Sequence, residues 1–514
     1  MPNVWQVTSP LLIGLIVFGC VAHGPAMAIA ASSPTMTDPQ ITDAVGDALF
    51  TKHGVPGYVI DVRTNEGIVT MSGTVNNIMA KERAVRVAET VKGVRSVVDR
   101  IKVADAGRSD EEVRDDVRAA LLMDPATDSW EITATVDHGM VTLSGTVESW
   151  QEKRLAAKVA KSVRGVRGLN NKIDINYKMN RSDSEIRAEI VEALRWNALV
   201  DHALVDVRVQ DGNVMLSGTV GSAAERRRAR IDAWVTGVNS VNTSNLNVES
   251  WARSERFRKD KYVRKSDEQI RDAVKDALLY DPRVASFNVN VSVDNGVVRL
   301  NGEVDNLKAK RSAARTARNT VGVWRVKNRI DVRPSTPSDA TIAQNIREAL
   351  RRDPYVERFE VSVYVNNGEA NLSGTVDTYF EKFQAGDAAA GVYGVVVVDN
   401  NLLVDDDYDV FTYDPYVDDD WYIYDYDWYV YPNAYTSAKT DWEIREDVQD
   451  ELYWSPFVDS DKVTVTVDDG AATLTGVVDT WNERQAASEN AYEGGAVAVD
   501  NDLSVHYGPD YYEP

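Results

Sequence analysis

Cysteine is almost absent: Cys20 is the single one among 514 residues. A disulfide framework and a thiolate metal centre are thereby excluded, since each needs at least a pair of thiols. Histidine is nearly as scarce. The five, His23, His53, His138, His202 and His506, fall at unrelated places, so no recurring imidazole site can form. No Gly-x-Ser-x-Gly elbow, phosphate-binding P-loop or His-Glu-x-x-His pair occurs, which leaves nucleophilic, nucleotide and zinc-hydrolase schemes without parts. Long apolar runs are missing as well. Leu11 to Phe18 falls short of the ~17 or more residues needed to cross a bilayer. It is followed by small residues including Ala26-Met27-Ala28, so residues 1–30 read as a secretory signal cut near Ala28 or Ala30. Lys and Arg are absent from the first ten residues, and a retained anchor is the alternative.

Basic charge is lacking at one end only. The net charge is −23, but residues 405–514 hold 28 acidic and 4 basic side chains, leaving 52 acidic against 53 basic in residues 1–404. The chain is a balanced body with an acidic end, which speaks against nucleic acid as a partner, because phosphate contacts need Lys and Arg.

What the chain has in abundance is one phrase. Gly67 followed by Gly73, the latter in Met-Ser-Gly-Thr-Val, recurs as Gly139/Gly145, Gly212/Gly218, Gly296/Gly302, Gly368/Gly374 and Gly470/Gly476. A fixed period marks a repeated module. The boundaries read as 37–104, 109–176, 182–249, 266–333, 338–404 and 440–507, here called units 1 to 6, with linkers at 250–265 and 405–439 and a tail at 508–514. Repetition favours multiplied binding over a single catalytic cleft.

Each unit opens on a helix cap: Thr37, Ser109, Ser182, Ser266 and Thr440 have Gln or Glu three residues on, while Ser338 has Thr341. Such caps are worth ~1 kcal/mol each. Apolar residues then return every fourth position, as in Ile41, Val45 and Leu49, the stripe of an amphipathic helix. The period switches to alternation in Val289, Val291 and Val293, and Asn-Gly turns such as Asn295-Gly296 close a hairpin. Gly73, Gly145, Gly218, Gly302, Gly374 and Gly476 are read as structural, letting backbone bend or approach closely. A second, Ala-rich helix and a last strand follow, separated by Gly-Val pairs such as Gly93-Val94. Both helices can cover one sheet face, leaving the other wet or free to pack on a neighbour.

With the glycine hairpin, the Ser-Gly-Thr-Val phrase and the Gly-Val before the last strand in this order, the unit resembles the BON domain. The resemblance implies an α+β fold: a tandem array of small αββαβ modules, each a three-stranded mixed sheet covered by two helices on one face. It further implies a cell-envelope location and attachment to phospholipid surfaces or to other envelope proteins, and it does not imply an enzyme; the protein is expected not to be one. Val17-Phe18-Gly19-Cys20 is similar to a bacterial lipoprotein box with Phe18 fitting poorly, which leaves an outer-membrane lipoprotein open.

The second helices supply the candidate sites. They carry Lys81, Arg83 and Arg86; Lys153, Arg154, Lys158 and Lys161; Arg226, Arg227, Arg228 and Arg230; and Lys308, Lys310, Arg311 and Arg315 in units 1 to 4, and little in units 5 and 6. Such faces suit anionic headgroups; the alternative is a merely solvated face. Trp150 is read either as an interfacial anchor or as core. The 250–265 linker mixes Arg253, Arg256, Arg258, Lys259 and Lys261 with Trp251, Phe257 and Tyr262, fitting an anionic surface or a helical spacer. Residues 405–431 hold ten Asp and eleven aromatics, read as an acidic spacer, with contact to the basic helices or calcium binding, at a spacing that is not the EF-hand loop, as alternatives. No cofactor is implied. The expected function is envelope support under osmotic stress by binding anionic phospholipid membranes, with a protein-interaction or self-association scaffold as the rival.

Overall fold

The computed structural model describes residues 36–51, 54–127, 131–253, 265–323, 325–334, 337–356, 361–405, 439–455, 458–468 and 470–505. The expected signal with Cys20, most of both linkers and the tail lie outside the described residues. Within them the order helix, strand, strand, helix, strand runs six times. The first helices are α1 (Asp38–Thr51), α3 (Asp110–Met123), α5 (Asp183–Trp196), α7 (Asp267–Leu279), α9 (Asp339–Arg352) and α11 (Asp441–Trp454). The second are α2 (Ile78–Thr90), α4 (Trp150–Lys161), α6 (Ala223–Asp232), α8 (Leu307–Arg318), α10 (Tyr379–Ala390) and α12 (Trp481–Glu493).

The caps form as their spacing demands. Ser109, Ser182, Ser266 and Thr440 make reciprocal capping boxes with Glu112, Glu185, Gln269 and Glu443. Ser338 accepts from the Thr341 amide and shares a hydrogen bond with the Thr341 hydroxyl, without the reciprocal box. Each sheet is mixed. In unit 1, β1 (Ile60–Asn65) is antiparallel to β2 (Ile68–Val75), which is parallel to β3 (Ser96–Val103), and the other five sheets keep that order. Ile60 pairs with Gly73, whose φ of 146° and position against the Val59 carbonyl leave no room for a Cβ. Unit 3 alone shows a register shift, between Met215 and Ser217.

One residue type ties the first helix to the hairpin. The Asp after each cap accepts from the turn amides: Asp38 from Glu66 and Gly67, Asp110 from His138 and Gly139, Asp183 from Asp211 and Gly212. Asp267, Asp339 and Asp441 do the same to Gly296, Gly368 and Gly470. Glu66 and Gly67 have φ of 51° and 72°, the two positive values of a type I′ turn, so the clamp holds a tight, right-twisted hairpin. Two hydrogen bonds from those amides also keep the Asp110 carboxyl below its usual pKa.

The apolar helix stripes and inner strand residues give each unit a centre. Units 1 and 2 share one continuous core that takes in Ala223 of unit 3, and Leu307 of unit 4 joins the core of unit 5. The outer sheet faces are not fully polar: Tyr364 and Leu403 are each 69% exposed, and Val98, Met140, Met215 and Val477 also reach solvent. No helix among the described residues is long and apolar enough to cross a membrane.

Candidate functional site

The second helices start at Asn77, Ser149, Ser222, Asn306, Thr378 and Thr480, each capping the amide three residues on. One face of each is small and buried, as with Ala80, Ala84, Val87 and Ala88 in α2. Short Ala side chains let helices approach closely, which brings the flanking charges of different units together. Five of the candidate cations, Arg83, Lys161, Arg227, Lys308 and Arg311, turn toward groups of other units.

The contacts are specific. Lys161 of unit 2 meets Glu82 of unit 1 at 2.5 Å, and Arg227 of unit 3 meets Glu89 of unit 1 at 2.7 Å. Lys308 of unit 4 lies 3.3 Å from Asp387 of unit 5, with Arg311 at 3.9 Å. Arg83, 3% exposed, covers the Phe380 ring of unit 5 at 4.9 Å. Trp150 stacks on Trp234 of unit 3, ring centroids 5.1 Å apart and planes within 4°, so it packs between units. Burial drives the Glu89 carboxyl above its ordinary pKa even against Arg227. Burial also opposes ionisation of Asp387, but Lys308, Arg311 and Lys158 outweigh it and hold its pKa down.

The remaining candidates divide. Lys81 stays within its unit, donating to the Ile101 carbonyl at 2.6 Å and pairing with Asp99 at 3.2 Å. Arg228 pairs with Asp232 of its own helix, and Arg315 donates to the Ser312 hydroxyl. Arg86, Lys153, Lys158, Arg226 and Lys310 are half-buried, whereas Arg154 and Arg230 are exposed. Arg253 ends a 3₁₀ turn, Ser250–Arg253. Arg256, Arg258, Lys259 and Lys261 lie outside the described residues.

Three corners repeat one geometry. The amide just before the Gly-Val pair donates to the carbonyl of the last residue of another unit's first helix: Lys92 to Trp454, Arg164 to Arg352 and Val321 to Trp196, at 3.3, 2.7 and 2.8 Å. Units 1 and 6, 2 and 5, and 4 and 3 are thereby joined alike. Around these corners sit residues to which motif reading gave no role in joining units. Arg283 of unit 4 makes a two-pronged bond to Asp124 of unit 2, both distances 2.9 Å, with side chains 9% and 8% exposed. Arg351 of unit 5 pairs with Asp116 of unit 2 at 2.5 Å, and Arg164 reaches the Asp353 and Val356 carbonyls. The only sequence signal for them is a charge next to a helix end, as in Asp281-Pro282-Arg283 and Arg351-Arg352-Asp353.

Asp110, Asp137 and His138 bring ligand atoms within 4.8 Å of one another. The Asp110 oxygens already accept from the turn amides, as in the units that lack His there, so the cluster reads as a turn clamp.

Residues 37–105, 109–177, 182–250, 266–334, 338–406 and 440–507 each match the BON domain. The chain is similar to osmotically-inducible protein Y of Escherichia coli (strain K12), 35% identical over 143 residues, which is 26% of this chain and 71% of that protein. It is also similar to outer membrane lipoprotein DolP of Haemophilus influenzae, 30% identical over 135 residues, 25% of this chain and 69% of that one. A solved structure of CdsD, a structural protein of the type III secretion system of Chlamydia trachomatis, is 19% identical over 40% of this chain and 91% of its own, at a TM-score of 0.12 that carries no argument. On the six matches and the fold they share, the chain belongs to the BON domain family.

Proposed function

We propose that the protein is a non-enzymatic, exported envelope scaffold in which the BON units act as one assembled body that offers its outer sheets to partner proteins. The carrying observation is that the second helices are spent on one another, as in Arg227 with Glu89 and Lys308 with Asp387, while exposed Tyr364 and Leu403 lie on an outward sheet face. Strand edges add a second kind of surface, because every three-stranded sheet has two. The names of the two relatives, one osmotically inducible and one an outer-membrane lipoprotein, support a role in the envelope under osmotic stress.

Attachment to anionic phospholipid is the second reading, favoured by Arg154 and Arg230, the exposed cations on the second helices. Crosslinking in intact envelopes, paired with flotation on anionic and neutral vesicles at two salt concentrations, separates the two. The scaffold reading expects defined protein adducts and equal, weak flotation on both vesicle types. Salt-sensitive recruitment to anionic vesicles with no protein adducts would overturn it.

A further inference from the structure

The joint that repeats at three corners is made of two unlike halves. One is the end of a first helix, and the other is the turn after a second helix. Units 6, 5 and 3 give their helix ends to the turns of units 1, 2 and 4. Among the described residues, the helix ends of units 1, 2 and 4 make no such backbone bond in return.

One helix position separates the two groups. It follows the last leucine of the buried stripe, which is Leu49, Leu121, Leu194, Leu278, Leu350 and Leu452 in units 1 to 6. In the docked helices of units 5 and 6 this position faces the receiving unit: Arg351 pairs with Asp116 at 2.5 Å, and Lys92 Nζ lies 4.1 Å from the centre of the Tyr453 ring. Arg195 holds the place in unit 3. In the three helices not docked in this way the position is apolar and open to solvent, with Phe50 76%, Leu122 65% and Leu279 66% exposed. Unit 1 offers more, because Gly57 packs against the Leu49 carbonyl and the 3₁₀ turn Gly57–Val59 brings exposed Tyr58 to the same helix end. A lone exposed leucine is ordinary. An apolar side chain at this one position in every undocked helix, with Arg there in two of the three docked ones, is a pattern.

We infer that the first-helix ends of units 1, 2 and 4, marked by Phe50, Leu122 and Leu279, are docking surfaces for a second copy of this chain. Each enters the turn after a second helix of that copy, as the end of the unit 6 helix enters the turn at Lys92. The occupant follows from continuity with a joint the chain already makes three times, since a second copy carries the missing half. Contacts between unlike halves need not close within one molecule; they continue into rings or open arrays. A single helix end is a small contact, and three on one chain add avidity. Helix ends and outer sheet faces are different surfaces, so this association is read separately from the outer-sheet contacts of the scaffold.

The test is sedimentation velocity of the full chain over a rising concentration series. It compares the parent, the triple variant Phe50→Gln, Leu122→Gln and Leu279→Gln, and the equally exposed outer-sheet control Leu403→Gln. The three helix positions are exposed and Gln suits a helix, so the variant is expected to keep the thermal midpoint of the parent. If that midpoint falls, Phe50→Gln and Leu279→Gln are read singly. Parent and control are expected to gain mass with concentration together. The triple variant is expected to need about tenfold or more protein to reach the same mass, since burying one Phe or Leu side chain shifts an equilibrium by that much. A parent that stays monomeric throughout, or a triple variant that associates like the parent, would overturn the docking surface. So would a control that loses association as fully as the triple variant, which would assign the contact to the outer sheets. A monomeric parent that floats on phosphatidylglycerol vesicles in a Phe50-dependent way would also overturn it and give the patch to a lipid surface.

Discussion

Arg283 and Asp124 form the sharpest joint between units 2 and 4. Both side chains are nine-tenths buried, and the guanidinium meets the carboxylate through two bonds of 2.9 Å. Burial alone would raise the Asp124 pKa, yet Arg283 more than reverses it, so both groups stay charged. Removing one partner strands the other charge away from water, and breaking such a pair costs about 3–5 kcal/mol. Asp124→Asn keeps the acceptor for the Ala126 amide at 3.0 Å, so its penalty reports on the ion pair rather than on the turn. Arg283→Met removes the charge while retaining much of the volume. The double variant no longer buries a lone charge and is expected to recover most of the loss, giving a coupling of about 2 kcal/mol or more, as neighbours in one network show. Urea unfolding followed by near-ultraviolet circular dichroism reads all four corners of the cycle. Surface pairs are screened by salt and this one is shielded, so the coupling is expected to persist at high ionic strength. Additive single effects below ~0.5 kcal/mol each, the range of ordinary surface substitutions, would refute the joint.

Three other outcomes follow from the same geometry. Asp353 is buried against Gln384 and its pKa is raised to about 6, with burial the main cause. Its folded value exceeds the unfolded one of about 3.9, so it stabilises increasingly as pH falls from 7 through 6 toward 4, by up to about 3 kcal/mol; Asp353→Asn should flatten that part of the pH–midpoint curve, and parallel curves would contradict it. Gly145→Ala places a Cβ against the Glu131 carbonyl at a φ of 142°, so unit 2 should lose about 1–3 kcal/mol, read as faster amide exchange in residues 132–147. Trp150→Ala and Trp234→Ala should be non-additive by about 0.5–1.5 kcal/mol, the worth of an aromatic pair beyond its area, whereas strict additivity in a thermal cycle would deny the stack.

The fold was legible because its determinants are local. Caps, the four-residue stripe of Ile41, Val45 and Leu49, and the turn at Asn295-Gly296 each fix an element from within about ten residues. The Asp after each cap was visible in every unit, but its partner lies 29 residues on, as with Asp38 and Gly67, and capping alone seemed to account for it. The second helices show where local reading stops. Their basic residues were found, but some of the carboxylates that answer them lie in other units: Lys161 and Glu82 are 79 residues apart, and Arg227 and Glu89 are 138. Charge on one helix reads as solvated until its counter-charge is known, and no periodicity encodes a partner in another module. Arg283 carried still less signal, since its role rests on a contact between two units.

The central claim is that the second helices face one another across units. Zero-length carbodiimide coupling followed by peptide mass spectrometry tests it most directly, because it joins a lysine to a carboxylate only at ion-pair distance. Links within units, Lys81 to Asp99 at 3.2 Å and Lys439 to Asp447 at 2.8 Å, are expected under either arrangement and serve as the internal control. The account predicts in addition Lys161 to Glu82, at 2.5 Å, and Lys308 to Asp387, at 3.3 Å. Recovery of the control links without either of these would contradict the assembled body and return the basic helices to solvent.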